Sequence, residues 1–215
     1  ATFPNINSNN TILLGGTTQR VVYLGNLANK NLDWEKTTAL NLGLDFGILK
    51  NKLTGNINVY NSNTTNLLLS RAIPIFNGFT TVLDNIGKVN NKGIELQLNL
   101  LSYSTKQFTW NTGYIFALNR NKIVSLYGLD ADKNGIEDDD VANSRFIGKS
   151  LGANYTYVMD GIIQKDDAAF IAVYGGKPGD IKFFERKNYG KRDAKDRTIV
   201  GYNVPNFSMS LSNTL

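Results

Sequence analysis

The sequence predicts an all-β fold, and more narrowly a segment of a large antiparallel transmembrane β-barrel. The first reason is strict alternation of apolar and polar residues, which gives a strand two different faces. The second is that short and long connections between these strands alternate, as they do in outer-membrane barrels. The third is composition, since 20 Gly, 11 Phe and 10 Tyr accompany only 4 Pro among 215 residues, a bias toward turns and strands. No run of about 18 apolar residues is present, so a transmembrane helix is not expected.

Alternation is clearest over 37–48, 53–60, 93–101 and 108–118, and a fifth alternating run begins near residue 207. We therefore predict about five strands plus long extracellular loops, with the whole of 1–215 in one barrel domain. The predicted divisions are an extracellular loop at 1–36, a hairpin at 37–61, an extracellular loop at 62–92, a hairpin at 93–118, a long extracellular loop with a short helix at 119–205, and the start of a truncated strand at 206–215. Because five strands do not close a barrel, this segment is expected to be part of something larger.

The polar face of the predicted strands is expected to line a water-filled lumen, while the apolar face meets lipid. Amides and carboxylates inside a dry sandwich would be costly, whereas a hydrated pore accommodates them. Trp34 and Tyr60 near one strand end, and Phe108 and Trp110 near the other, fit aromatic girdles at the two membrane interfaces. The predicted lumen-facing residues are Asn41, Asp45, Asn56, Asn58, Glu95, Gln97, Asn99 and Asn111.

Two alternatives remain open from the pattern alone. A soluble, glycan-binding β-sandwich would alternate in the same way, although the order of short and long connections favours the barrel. A structural outer-membrane barrel that transports nothing would show the same strands.

Several motifs, taken in order, resemble one family. The run 85–96, NIGKVNNKGIEL, is similar to NVGEVENKGIEL of the SusC/RagA-type TonB-linked outer-membrane transporters. The runs 31–38 and 53–61 resemble that family's NLKWEKT and RLTGSIDYYN, and 160–164 and 177–182 resemble its DGIFQ and KPGDIKY. Each motif is weak alone, but their order and spacing together identify the chain as a fragment of the C-terminal barrel region of this family.

The resemblance implies a barrel of about 22 strands with a plug, in the outer membrane of a Gram-negative bacterium. It implies import of glycan or peptide oligomers, energised by TonB through a plug that lies outside this chain. It also implies a SusD-like surface lipoprotein as a lid, and no enzymatic activity. Substrate identity would depend on the plug, the loops and the lid.

An acidic loop at 130–140 carries a candidate Ca²⁺ site, and no other cofactor is expected. Asp130, Asp132 and Asn134 follow the D-x-D-x-N-G spacing of a calcium loop, and Asp138 or Asp140 is a candidate for a further oxygen ligand. The twelfth position is Val141 rather than Glu, so the bidentate ligand is missing. The loop is therefore either a Ca²⁺ site or a solvated acidic loop.

By resemblance, residues 180–197 correspond to an EF-hand-like loop that holds Ca²⁺ in family members. Here Glu185, Lys187 and Tyr189 stand at ligand positions, and Asp196 is one of the few acids left. A Lys ammonium among the ligands would repel the ion, so we predict that this loop is empty.

Composition and spacing argue against two other function classes. The absence of Cys and His removes thiolate chemistry and the commonest general base, and the neighbouring acids of 137–140 lack the spacing of a glycosidase pair. A basic and aromatic run at 182–197 would suit nucleic acid, but acids within it dilute the patch, so no nucleic-acid partner is expected.

Overall fold

The computed structural model describes residues 6–185 and 193–215. Within these ranges the chain forms eleven strands, one α-helix and three short 3₁₀ turns. The strands are β1 (Ile6–Leu14), β2 (Thr17–Leu24), β3 (Lys36–Ile48), β4 (Leu53–Ala72), β5 (Thr81–Ser104), β6 (Thr109–Ser125), β7 (Ala153–Thr156), β8 (Met159–Ile162), β9 (Ile181–Phe183), β10 (Thr198–Tyr202) and β11 (Ser208–Thr214), and the helix is α1 (Ala168–Tyr174).

The main sheet has five antiparallel strands in the order β11-β6-β5-β4-β3. Consecutive strands are neighbours, except that β7 to β10 and α1 are inserted between β6 and β11. Short turns at 49–52 and 105–108 join strands at one end of the sheet, which we call the turn end. The longer connections leave from the other end, the loop end. The five predicted strands are confirmed, including the one predicted to begin at 206.

The prediction of a loop over 62–92 is wrong for most of its length. Strand β4 continues to Ala72 and β5 begins at Thr81, so only 73–80 connects them. The extensions pair through register shifts near Leu67, and Asn66 adopts a positive φ of 59°. A bulge adds an unpaired residue and moves the following side chains to the opposite face. Because the alternation changes face at the bulge, a strictly alternating pattern does not predict the extended parts of β4 and β5.

The segments 1–36 and 119–205 are also more structured than loops. Strands β1 and β2 form a hairpin around Gly15 and Gly16, whose φ angles are 60° and 81°. In the second segment β6 extends to Ser125, and β10 pairs with β7 and β8 with β9. The predicted short helix is confirmed as α1, which ends where the Gly175 N–H donates to the carbonyl of Ile171.

A small core lies at the loop end, where the strand extensions meet the inserted segments. Ile123 is 1% exposed, and its backbone pairs with Lys149 (2.9 Å) and Gly148 (2.8 Å). The rings of Phe146 and Tyr155 lie nearby, 4.9 Å apart. The buried apolar residues of the described ranges are Val82, Val89, Ile123, Leu126, Phe146, Ala153 and Ile163. Across the described residues, no helix has the length and apolar character needed to cross a membrane.

Candidate functional site

One face of the main sheet carries all eight residues predicted to line a lumen. Residues directly opposite each other on paired strands project to the same face. Rows of partners therefore show which residues share that face. The rows are Gly43–Asn58–Glu95–Ala117, Asp45–Asn56–Gln97–Ile115 and Gly47–Thr54–Asn99–Gly113, while Asn41 pairs with Tyr60, and Asn111 with Leu101 and Thr214. Ile115, 51% exposed, is an apolar exception on this polar face.

The opposite face is a continuous apolar band. One row crosses all five strands and consists of Leu44, Ile57, Leu96, Phe116 and Met209. Leu40, Leu42 and Leu44 are 62–65% exposed. The described residues provide no second sheet over this band, although a soluble β-sandwich would need one to remove it from water.

Both ends of the apolar band are marked by polar rows. At the turn end, Ser102 and Thr112 hydrogen-bond (2.9 Å), and Asn213 accepts from Thr112 and from the Trp110 indole N–H. At the loop end, Lys92 lies opposite Arg120. Lys92 and Ser102 are ten positions apart on β5. That is about 34 Å at ~3.4 Å per residue, or about 26 Å in height at a strand tilt of ~40°. This height matches the apolar band of about 25 Å that outer-membrane barrels present to lipid.

The aromatic residues agree only in part with the predicted girdles. Phe108 and Trp110 lie at the turn end, where the ring of Phe108 is 6.2 Å from that of Tyr103. Tyr60, however, lies on the polar face beside Asn58 and opposite Gly93. The assignment of Tyr60 to an outer girdle is therefore wrong, because residues two apart on a strand share a face and Asn58 is a predicted lumen residue.

The acidic loop brings three of its four candidate ligands together. Carboxylate oxygens of Asp130, Asp132 and Asp138 all lie within 4.8 Å of one another. Asn134 is turned differently, because its side-chain oxygen accepts from the Ile136 N–H and its amide nitrogen donates to Asp132. Three hard oxygen ligands are a partial set for Ca²⁺, which takes six to eight.

Backbone donors also hold the Asp130 carboxylate. The N–H groups of Gly135 (2.9 Å) and Asn134 (3.0 Å) point at its two oxygens. The Gly135 bond, with the others, lowers the pKa of Asp130 below its ordinary value. The loop therefore keeps this ligand ionised.

A second carboxylate cluster fastens the same loop to the end of β6, and the sequence pattern does not reveal it. Glu137 accepts from the backbone N–H groups of Leu126 (2.6 Å) and Gly128 (2.8 Å). Asp140 accepts from the Tyr127 hydroxyl (2.7 Å) and lies 3.5 Å from Arg145. The run 137–140 shows only four adjacent acids, whereas the fold gives them separate partners.

The segment predicted to be an empty calcium loop is described only in part, because Lys187 and Tyr189 lie outside the described residues. Glu185 accepts a hydrogen bond from the Tyr174 hydroxyl. Asp196, 1% exposed, accepts from the Asp193 N–H (2.9 Å) in a capping box. Both acids make hydrogen bonds within the protein, and the empty loop stays a prediction.

A continuous polar face, an opposite apolar band of bilayer height and strands joined in a simple up-and-down order define part of the wall of a β-barrel. Comparison with known proteins supports the same class. Residues 2–213 match the family described as TonB dependent receptor-like, beta-barrel, and the chain belongs to that family. Its members are outer-membrane receptors and transporters rather than enzymes.

The chain is similar to TonB-dependent receptor P3 of Formosa agariphila, with 32% identity over 90% of the chain and 20% of the relative. It is similar to TonB-dependent receptor SusC of Bacteroides thetaiotaomicron, with 35% identity over 80% of the chain and 17% of that relative. The structure of the RagAB peptide transporter shares the fold, with a TM-score of 0.70 at 21% identity over 98% of the chain and 22% of that structure's chain. The chain therefore spans about a fifth of the length of these proteins.

Proposed function

We propose that this chain forms part of the pore wall of an outer-membrane importer for oligomeric nutrients, either peptides or glycans. The observation that carries the proposal is the polar face, whose rows of amides and carboxylates run the full height of the apolar band behind it. Membership of the TonB-dependent family and the similarity to SusC support it.

The chemistry of the polar face suits an oligomer with many hydrogen-bonding groups. Seven of its eight predicted residues are exposed, and six of the eight are neutral amides. An amide side chain both donates and accepts, so it can bond to sugar hydroxyls or to peptide groups. Asp45 and Glu95 add the charge of two carboxylates, which gives this part of the wall a weakly acidic character.

The proposed partners are those of a nutrient importer of this family. A SusD-like surface lipoprotein would close the loop end, where the inserted segments of 119–205 lie. TonB would act through a plug encoded outside this chain. The similarity to SusC and to the RagAB peptide transporter supports both partners.

Neighbouring residues on β4 and β5 allow a direct test of the two faces. The described chain has no Cys, so single Cys variants of the full-length protein report one position each, against the unmodified protein as background. We expect Asn58→Cys and Gln97→Cys to react with a charged, water-soluble thiol reagent in outer-membrane vesicles. The adjacent Ile57→Cys and Leu96→Cys should react only with a lipid-soluble reagent. The reverse pattern, or equal labelling, would contradict the proposed lumen.

Uptake separates an importer from a barrel that transports nothing. Cells that express the full-length protein should take up labelled oligopeptides or oligosaccharides, and a protonophore should abolish the uptake. The class that is taken up identifies the substrate. If neither class enters above the level of cells without the protein, the transport proposal fails while the barrel assignment stands.

A further inference from the structure

The acidic loop at 130–140 contains an Asn-Gly pair, Asn134-Gly135. Such a pair is prone to deamidation, in which the Gly nitrogen attacks the side-chain carbonyl carbon of the Asn, because Gly has no Cβ to obstruct the approach. Both residues are exposed, so water reaches them. Gly135 has a φ of 82°, and apart from its chain neighbours no atom of the described protein lies within 4 Å of the position that a Cβ would take there. The fold therefore leaves room around the attacking nitrogen.

The attacking group is the Gly135 nitrogen, and its N–H is bonded to a carboxylate. It donates to Asp130 Oδ2 at 2.9 Å, while the Asn134 N–H donates to Asp130 Oδ1 at 3.0 Å. A carboxylate that accepts this hydrogen bond is placed to take the proton as the nitrogen attacks, which is general-base catalysis. The N–H bond lies in the peptide plane, whereas the attack uses electrons above that plane, so the bond to Asp130 does not block the reaction.

The group under attack, the side-chain amide of Asn134, is fixed by two further hydrogen bonds. Its oxygen accepts from the Ile136 N–H at 2.7 Å and so closes an Asx turn, a ring that contains both the amide carbon and the Gly135 nitrogen. Its nitrogen donates to Asp132 Oδ2 at 2.9 Å. The Ile136 bond stabilises the negative charge that develops on the oxygen during the attack. The Asp132 bond sets the orientation of the nitrogen that leaves.

We propose that Asn134 deamidates spontaneously and that the folded loop accelerates the reaction, with Asp130 as the general base and the Ile136 N–H as the oxyanion donor. The Gly135 nitrogen bonds to the side-chain carbon of Asn134. The proton of this nitrogen passes to Asp130 and then to the leaving nitrogen, so that ammonia departs from a cyclic succinimide. Water opens the ring to aspartate or isoaspartate. The net reaction consumes water and releases ammonia.

The product changes the charge of the loop. Asn134 is the neutral member of the D-x-D-x-N-G pattern, and the carboxylates of Asp130, Asp132 and Asp138 already lie within 4.8 Å of one another. Deamidation adds a further carboxylate to this loop, which therefore becomes more acidic as the protein ages. The reacting groups all belong to 130–136, so the inference does not depend on the proposed transport function.

Mass spectrometry of peptides from the full-length protein tests the proposal. Samples are incubated folded in detergent or unfolded in urea, and deamidation is followed at Asn134 and at Asn77, which precedes Gly78 in the chain's other Asn-Gly pair. The Gly78 N–H donates to the backbone oxygen of Ile75 (2.8 Å) rather than to a carboxylate. In the folded protein we expect Asn134 to react about tenfold faster than Asn77, a modest factor for general-base catalysis because a carboxylate is a weak base. In urea the two rates should be similar.

Two variants test the role of Asp130. Asp130→Asn keeps an oxygen that can accept from the Gly135 N–H but removes the charge, and it should lower the rate at Asn134 to that at Asn77. Asp138→Asn is the matched control, because it removes the same charge from the same cluster. Its carboxylate accepts from the Ala131 N–H (2.7 Å) and not from the reacting groups, so the fast rate should persist.

The comparison of Asn134 with Asn77 in wild-type protein needs no variant, so a folding defect does not obscure the result. Equal rates at the two sites in the folded protein would overturn the proposal. So would a fast rate at Asn134 that persists in urea, because the local sequence would then be its cause. A fast rate that survives Asp130→Asn, or one that both variants lower equally, would overturn the assignment of Asp130 as the base.

Discussion

The ring of Tyr60 lies directly over Gly93 on the neighbouring strand. A Cβ atom at Gly93 would be 2.5 Å from the Tyr60 hydroxyl oxygen and 2.5 Å from the backbone oxygen of Leu118. The backbone oxygen has little freedom to move, so even a methyl group would force β5 away from β6. Gly93 therefore allows a bulky aromatic side chain to lie flat on the polar face.

We predict that Gly93→Ala destabilises the full-length barrel by about 1–3 kcal/mol, the usual cost of overpacking. Thermal unfolding in detergent, followed by the mobility shift of the folded barrel on a gel, measures the change. Gly113→Ala is the matched control on β6, because the one close contact of its Cβ would be the Ser212 hydroxyl at 2.7 Å, which can rotate away, while the Asn99 side-chain oxygen lies at an ordinary 3.7 Å. Equal effects of the two substitutions would contradict the role of the Leu118 backbone.

A charge placed on adjacent residues of β5 should have opposite consequences. Leu96→Lys puts an ammonium near the middle of the apolar band and should cost about 2–4 kcal/mol in a bilayer. Gln97→Lys puts the same charge on the polar face and should change stability by less than about 1 kcal/mol, as a surface substitution does. Urea unfolding in lipid vesicles measures both. A larger cost for Gln97→Lys would reverse the assignment of the faces.

The three clustered carboxylates of the acidic loop predict weak Ca²⁺ binding. With three protein ligands together and no bidentate Glu, we expect a Kd of about 10⁻⁴–10⁻³ M, the range of extracellular sites. Amide exchange over 129–138 in the full-length protein should slow on addition of Ca²⁺. Asp130→Ala/Asp132→Ala should abolish the slowing, while Asp166→Ala, an exposed acid on another loop, should keep it. Exchange that is unaffected by Ca²⁺ in the wild type would identify a solvated acidic loop.

Acid should loosen the attachment of this loop to β6. Burial raises the pKa of Glu137 and of Asp140, but hydrogen bonds to Gly128 and Leu126, and to Tyr127 and Asn143, outweigh it and lower both. A carboxyl group whose pKa is lower in the folded state contributes its full stabilisation at pH values above its unfolded-state pKa. That stabilisation is lost as the pH falls through the folded-state pKa. Amide exchange over 126–147 should therefore quicken as pH falls below the ordinary carboxyl pKa values of 4.5 for Glu137 and 3.8 for Asp140.

Tyr127→Phe tests the cause of this pH dependence. It removes a donor to Asp140, so the pKa of that carboxylate should rise toward its ordinary value. The acid-induced loosening should then be smaller and should be complete at a higher pH. Tyr103→Phe at the turn end removes a hydroxyl far from the loop and should leave the profile unchanged. A profile that does not move with Tyr127→Phe would show that the other contacts of the segment govern it.

The sequence predicts the strands that have different surroundings on their two faces. Alternation is strict between Gly93 and Leu101, so the sequence predicts that Leu96 and Gln97 lie on opposite faces of the sheet. Beyond the apolar band the two faces of a strand no longer need different residues, and the bulges near Leu67 interrupt the two-residue period. Alternation therefore does not predict the extensions of β4 and β5. The hairpin of β1 and β2 did carry a signal, the Gly15-Gly16 pair, whose positive φ angles are typical of a tight turn.

The candidate sites divide in the same way. The polar face follows from parity alone, and the clustering of Asp130 and Asp132 follows from local spacing. The contacts of Glu137 and Asp140 depend on how the loop folds back on β6, which no local spacing encodes. The pairing of Lys92 with Arg120 likewise depends on the register between β5 and β6, which brings together two residues 28 positions apart in the chain.

The uninterrupted register of β4 and β5 between Leu53 and Thr64 also restricts how such a chain can change length. Inserting one residue within this stretch would move every later side chain of the strand to the opposite face of the sheet, so that amides would face the lipid. Adding two would restore the order. Length variation among relatives should therefore occur in even steps inside the band, and odd steps should fall near Leu67 or Leu101, where irregular pairing already absorbs an extra residue.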